Sequence, residues 1–190
     1  MRNSCEQLAE RYSVERIGET FRDVVTMRQC MELTRTGEQP TLLAMYHVKG
    51  YEANVVAMVA AHIAALDIFL HLKNGLSKEE VVETAKSIVE TYGGALSFAD
   101  IKVVFDNARR GAYGSFYERL SSVEIMRWFG DWFDKRTCTA EADSVGEYER
   151  SLPRDRKEER RRGKPVTEFD DVYLKYLETI TKTQKQCKKK

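Results

Sequence analysis

The apolar stretch from Val55 to Leu72 constrains the fold of this chain more than any other feature. Within it, only His62, Asp67 and His71 are polar. A helix that is apolar on nearly every side is either the buried centre of a core or a membrane span. The charge of Asp67 near the middle of the stretch, and the charged residues on both flanks, argue against a membrane. The sequence therefore predicts a buried central helix and no membrane contact.

Apolar residues at helical spacing, with capping residues at helix starts, recur on both sides of this stretch. Further helices are predicted over residues 4–12, 14–33 and 41–48, from Ser77 to Tyr92, from Ser97 onward, and from Ser121 to about Arg136. Alternating strand patterns are almost absent. We therefore predict an all-α fold, with a compact helical domain over residues 1–137 and a charged helical C-terminal extension over residues 138–190.

The helix that begins at Ser97 ends in a turn with an unusual density of specific residues. The apolar face of this helix leaves Lys102, Asp106 and Arg109 pointing away from the core. Glycine at the turn permits positive φ or close backbone approach, so Gly111 and Gly114 are predicted to be structural. Arginine holds phosphates and aromatic rings stack bases. Alternatively, the aromatic residues are core and the arginines are solvated. The candidates for binding nucleic acid or a protein partner here are Arg109, Arg110, Tyr113 and Arg119.

Charge is distributed unevenly along the chain. Residues 1–149 carry 17 Lys and Arg against 23 Asp and Glu, whereas residues 150–190 carry 14 against 7. The basic tail suits a polyanion such as nucleic acid, although a solvated helix has the same composition. Its candidate binding residues form two clusters, Arg160, Arg161 and Arg162 and then Lys188, Lys189 and Lys190. Between these clusters, an apolar stripe from Phe169 to Ile180 predicts a second helix within Val166 to Thr183, which docks either on the core or on a partner.

The remaining chemistry-bearing residues do not form a recognisable site. His62 lies on a different side of its helix from Asp67 and His71, so we expect no metal. Glycine-rich phosphate loops are absent, and no cysteine has a nucleophile signature, so we expect no cofactor and no enzymatic activity. The four scattered cysteines are predicted to be reduced thiols. The charged N-terminus suggests no signal peptide, and we expect a cytoplasmic protein.

Three motifs between Leu76 and Arg136 resemble an uncharacterised helical family of phages and mobile elements of Bacteroides-type bacteria. They are a capping segment, a glycine-tyrosine-glycine turn and an aromatic helix that ends in arginine. In this chain they read Leu96-Ser97-Phe98-Ala99-Asp100-Ile101, Gly111-Ala112-Tyr113-Gly114-Ser115-Phe116-Tyr117-Glu118-Arg119 and Trp132-Phe133-Asp134-Lys135-Arg136. The setting and small helical size are similar to those of helicase loaders and other replication accessory proteins.

The resemblance and the basic tail together lead to two hypotheses. The first is a non-enzymatic phage or mobile-element accessory protein in DNA replication, whose core binds a protein partner and whose tail binds DNA or that partner. The second is a protein-interaction factor without a nucleic-acid role, acting in host takeover or counter-defence. A third alternative is an enzyme with an active site that residue spacing does not reveal. All of these leave the partner's identity and the oligomeric state open.

Overall fold

The structure, a computed structural model, describes residues 4–71, 75–114, 120–151 and 175–176. These ranges contain eight α-helices and no strand, which confirms the all-α prediction. The helices are α1 (Ser4–Arg11), α2 (Ile17–Thr20), α3 (Met27–Arg35), α4 (Leu42–Tyr46), α5 (Glu52–Leu70), α6 (Lys78–Tyr92), α7 (Phe98–Arg109) and α8 (Ser122–Ser151). The chain divides into two compact units, Met1–Phe133 and Asp134–Lys190.

Helix α5 lies at the centre of the first unit and contacts α1, α4, α6 and α7. One side of α5 is fully buried, at Val55, Val59, Ile63 and Leu66. Each such side chain contributes about 1.5–3 kcal/mol relative to an exposed one. The opposite side is exposed, so the prediction of a buried helix holds for one face only. By length and composition α5 could also cross a membrane.

Capping boxes set the starts of four helices. Those at Ser77, Ser97 and Ser121 were predicted, and in the first the Ser77 N–H donates to the Glu80 carboxylate at 2.8 Å. The fourth, at Thr26, overturns the prediction of one helix over residues 14–33. The Gln29 side-chain oxygen accepts the Thr26 N–H at 3.0 Å. Thr26 has extended backbone dihedrals, which a helix interior does not allow, so α2 and α3 are separate helices.

Two helix ends also differ from expectation. Helix α5 ends at Leu70, because His71 adopts a left-handed φ of 50° that no α-helix continues through. Helix α8 continues to Ser151 instead of ending near Arg136. Polar residues carry a helix onward at little cost when no proline interrupts them, and the next proline is Pro153. The predicted domain boundary after residue 137 therefore falls inside α8.

The cysteines do not all match the predicted reduced state. Cys30 is buried and forms no disulfide. Cys138 is disulfide-bonded, so the prediction of reduced thiols is wrong for this residue. A disulfide requires two cysteines to be close in space, and spacing along the chain does not reveal which cysteines the fold brings together.

Candidate partner-binding surface

The N-terminal end of α7 is anchored by a buried carboxylate. Asp100 is fully buried, and its Oδ2 accepts the Ser97 N–H at 2.9 Å and the Ser97 hydroxyl at 3.0 Å. The Trp132 indole N–H donates to Oδ1 at 3.0 Å. Hydrogen bonds to a charged acceptor contribute about 1.5–3 kcal/mol each. Asp100 therefore fixes the start of α7 against α8, and α7 in turn positions the turn that follows it.

A chain of charges runs along α7 toward its C-terminal end. The Lys102 ammonium donates to the Val24 carbonyl at 2.8 Å and lies 3.2 Å from one carboxylate oxygen of Asp106. The other oxygen of Asp106 lies 3.2 Å from the Arg109 guanidinium. Lys102 is 9% exposed, so the prediction that it points away from the core is wrong. A lysine stem can follow apolar surface while its ammonium reaches a distant acceptor.

Arg109 and Arg110 lie at the C-terminal end of α7 beside the end of α5. The Arg109 guanidinium carbon stands 5.7 Å from the centroid of the Phe69 ring, a cation–π contact. The Phe69 side chain is 53% exposed, and Arg110 is exposed as well. Positive charge at a helix C-terminus is also favoured by the helix dipole. We call Phe69, Arg109 and Arg110 the α7-terminal surface.

The turn after α7 has the backbone that its glycines suggested. Gly111 has φ 77° and Gly114 has φ 101°, and an added Cβ at either position would meet no atom of the described residues within 4 Å. Backbone hydrogen bonds close the turn, from the Ala112 N–H to the Asn107 carbonyl at 2.9 Å and from the Gly114 N–H to the Gly111 carbonyl at 3.1 Å. Backbone conformation, and not lack of space, therefore explains the glycines.

Tyr113 in this turn packs on the core. Its ring is stacked on the Trp128 ring, with centroids 5.0 Å apart and an interplanar angle of 9°. Burial raises the pKa of the Tyr113 hydroxyl to about 12, against a smaller opposing effect of its hydrogen bond with Asn107. Trp128 covers one face of the Tyr113 ring, so that face is not available to a nucleic-acid base. Tyr113 therefore supports the α7-terminal surface by packing on the core and adds little to its exposed area.

Several candidate binding residues lie outside the described part of the chain. They are Arg119 in the turn and both clusters of the tail, Arg160, Arg161 and Arg162 and Lys188, Lys189 and Lys190. Of the helix predicted from Val166 to Thr183, only Lys175 and Tyr176 are described, and both are helical. The sequence predictions for these residues stay predictions.

The buried histidine of α5, His62, has a structural role. His62 is buried, and its Nε2 lies 2.8 Å from the Tyr12 carbonyl oxygen. A carbonyl can only accept, so Nε2 carries the proton. Burial lowers the pKa of His62, with a smaller opposing effect of that hydrogen bond. Within the described ranges, no three His, Cys, Asp or Glu side chains group as metal ligands would.

Sequence reasoning missed Phe69 and the exposed side of α5. Beside the exposed side of α5, a groove of about 310 Å³ lies between α4, α5 and α6. Its lining residues are Tyr46, Glu52, Ala53, Val56, Ala57, Val82 and Lys86, of which Glu52 and Lys86 are charged. The sequence did contain a signal, because α5 is apolar on nearly every side. Such a helix carries more apolar surface than packing on one face can bury.

No known protein family matches this sequence, and neither a curated protein nor a solved structure matches it.

Proposed function

We propose that this chain is a non-enzymatic binding protein that docks a protein partner through the α7-terminal surface. The observation that carries the proposal is the contact between the Arg109 guanidinium and the half-exposed Phe69 ring. Arginine and aromatic residues are enriched in the centres of protein interfaces. The partner complementary to this surface presents an apolar side chain beside carboxylates.

The packing of the surface favours binding. Arg109 is held by the Asp106 carboxylate on one side and by the Phe69 ring on the other. A side chain already held in place loses less conformational entropy when a partner arrives. Asp106 balances one of the charges of Lys102 and Arg109, so Arg110 adds to a net positive end of α7. This positive end favours an acidic partner.

The test is affinity capture of partners from cells that express the tagged full-length chain, with three proteins compared by quantitative mass spectrometry. They are the wild type, Arg110→Gln, and the control Arg22→Gln, which removes the same charge from an exposed arginine elsewhere in the first unit. The proposal expects a partner that the wild type and the control recover and that Arg110→Gln loses. Equal recovery by all three proteins would contradict it.

DNA contact through the tail is a second proposed activity, and the specific observation behind it is charge. Residues 150–190 have a net charge of +7, whereas residues 1–149 have −6, so attraction to a polyanion belongs to the tail. The role in phage or mobile-element replication comes from the resemblance described above. If the chain does not bind DNA, the alternative function is that of a protein-interaction factor without a nucleic-acid role.

Fluorescence anisotropy with single- and double-stranded oligonucleotides over a range of salt concentrations separates these two alternatives. Replacing Arg160, Arg161 and Arg162 with glutamine should flatten the plot of log affinity against log salt, by up to about 0.9 for each duplex phosphate that the tail no longer neutralises. Arg22→Gln should leave the slope unchanged. Absence of binding at low salt would reject DNA contact.

A further inference from the structure

The Arg109 guanidinium is held in position while part of its donor capacity is unused. Its Nη1 donates to Oδ1 of Asp106 at 3.2 Å, and its carbon lies 5.7 Å from the centroid of the Phe69 ring. Among the residues that the structure describes, no acceptor faces Nε or Nη2. The side chain is 30% exposed, and neither of these nitrogens is buried without a partner. Arg109 therefore presents an edge of N–H donors to a ligand.

The geometry and the charge of this edge fit a carboxylate. The N–H groups of Nε and Nη2 lie in one plane and point the same way, so they can donate to both oxygens of one carboxylate. Asp106 lies 3.2 Å from both Lys102 and Arg109, so one negative charge offsets only one of two positive charges. Arg110 is exposed and adds a further positive charge at the next residue.

The Phe69 ring supplies an apolar contact beside the guanidinium. It is 53% exposed although Arg109 lies over one of its faces. A ligand whose carboxylate meets Arg109 can therefore place a neighbouring apolar group on the rest of this ring. The pairing of an apolar group with a carboxylate is typical of a peptide.

Nucleic acid fits the same site less well. Arg109 lies over one face of the Phe69 ring and Trp128 covers one face of the Tyr113 ring, so neither of these faces can stack on a base. Residues 1–149 carry 17 Lys and Arg against 23 Asp and Glu, a net charge of −6 that repels a polyanion. A short segment with few carboxylates meets only the local positive charge.

We infer that Arg109 selects the ligand of the α7-terminal surface by binding one Asp or Glu side chain of a peptide segment through Nε and Nη2. An apolar side chain next to that residue packs on Phe69, and Arg110 attracts a second carboxylate of the segment. Asp106 is a positioning residue, because it holds Arg109 over the ring. This inference rests on the proposed function and adds the class of ligand and the residue that recognises it.

The probe is a set of short random peptides displayed on phage with their C-termini fused, so that only side chains supply carboxylates. Selection on the full-length chain should enrich Asp or Glu beside Leu, Ile or Phe. The enriched peptide is then synthesised with an amidated C-terminus, and its affinity is measured by fluorescence anisotropy.

Arg109→Lys keeps the positive charge and removes the planar pair of donors. It should weaken peptide binding at least about tenfold, the worth of one hydrogen bond to a charged acceptor. Arg35→Lys is the matched control, because the Arg35 Nε and Nη2 also donate to a carboxylate, that of Glu32 on α3, far along the chain from this surface. It should leave the affinity unchanged. Circular dichroism verifies that both variants fold.

A double-mutant cycle assigns the contact to Arg109. Changing the acidic residue of the peptide to its amide should weaken binding to the wild type by a similar factor and have little further effect on Arg109→Lys. Equal affinity of the wild type and Arg109→Lys, or a selection that enriches no acidic peptide, would overturn the inference. If Arg110→Gln alone abolishes binding, docking at this surface stands and the role of Arg109 fails. Displacement of the peptide by a single-stranded oligonucleotide that loses affinity for Arg109→Lys would assign the site to nucleic acid instead.

Discussion

Replacing Gly111 with alanine should destabilise the protein through the backbone alone. Gly111 has φ 77°, where an L-residue brings its Cβ close to the carbonyl oxygen. The added Cβ would meet nothing within 4 Å among the residues that the structure describes, so no steric clash with them contributes. The expected loss is therefore the left-handed penalty, about 1–2 kcal/mol.

Thermal unfolding followed by circular dichroism measures this loss. For a chain of this length, 1 kcal/mol lowers Tm by about 2–4 °C, so Gly111→Ala should lower it by about 2–8 °C. Gly111→Asn should lose less, because asparagine tolerates the left-handed region best among side-chain-bearing residues. Gly114→Ala should lose at least as much as Gly111→Ala, since φ 101° lies farther from the left-handed helical basin.

Gly18→Ala is the matched control. Gly18 lies in α2, where φ is not positive and an added Cβ meets nothing within 4 Å in the described part of the chain. Alanine there should stabilise the protein by about 0.5–1 kcal/mol, because glycine is unfavourable inside a helix. An unchanged Tm for Gly111→Ala, or an equal fall for Gly18→Ala, would refute the explanation from φ.

Four further outcomes follow from single residues. The folded-state pKa of His62 lies below its ordinary value of 6.5, so the unfolded chain binds the proton more readily. The contribution of His62 to stability should therefore be complete above pH 6.5 and should be lost as pH falls toward the folded-state pKa. Urea unfolding at several pH values would measure this loss. Trp132→Phe removes one donor to the Asp100 carboxylate and should cost about 1.5–3 kcal/mol in the same assay. In a spectrophotometric titration, Tyr113 should ionise near pH 12, later than exposed tyrosines. Burial also raises the pKa of Tyr12, so replacing Tyr113 with phenylalanine should reduce the amplitude of the late step by one tyrosine. Because Cys138 is disulfide-bonded, thiol titration of the denatured, unreduced chain should find fewer than four thiols.

Local signals predicted the helix class and most helix starts. Serine followed by an acidic residue three positions later sets the starts of α6, α7 and α8, because the capping hydrogen bonds form between residues close in sequence. The capping box at Thr26 follows the same pattern, with glutamine as the partner three positions later. The same reasoning could therefore have predicted the break between α2 and α3. The positive φ of Gly111 and Gly114 also followed from residue type.

Contacts between distant segments were decided by the tertiary structure alone. Lys102 donates to the Val24 carbonyl, which is 78 residues away in the sequence, and Arg109 of α7 contacts Phe69 of α5. No periodic pattern in the sequence indicates either contact, because a side chain's position on its own helix does not specify the segment that packs against it. The sequence alone shows that α5 is apolar. Which side of α5 the core covers depends on how the neighbouring helices pack around it. The sequence determined how much apolar surface this helix carries, and the packing determined how much of it remains exposed.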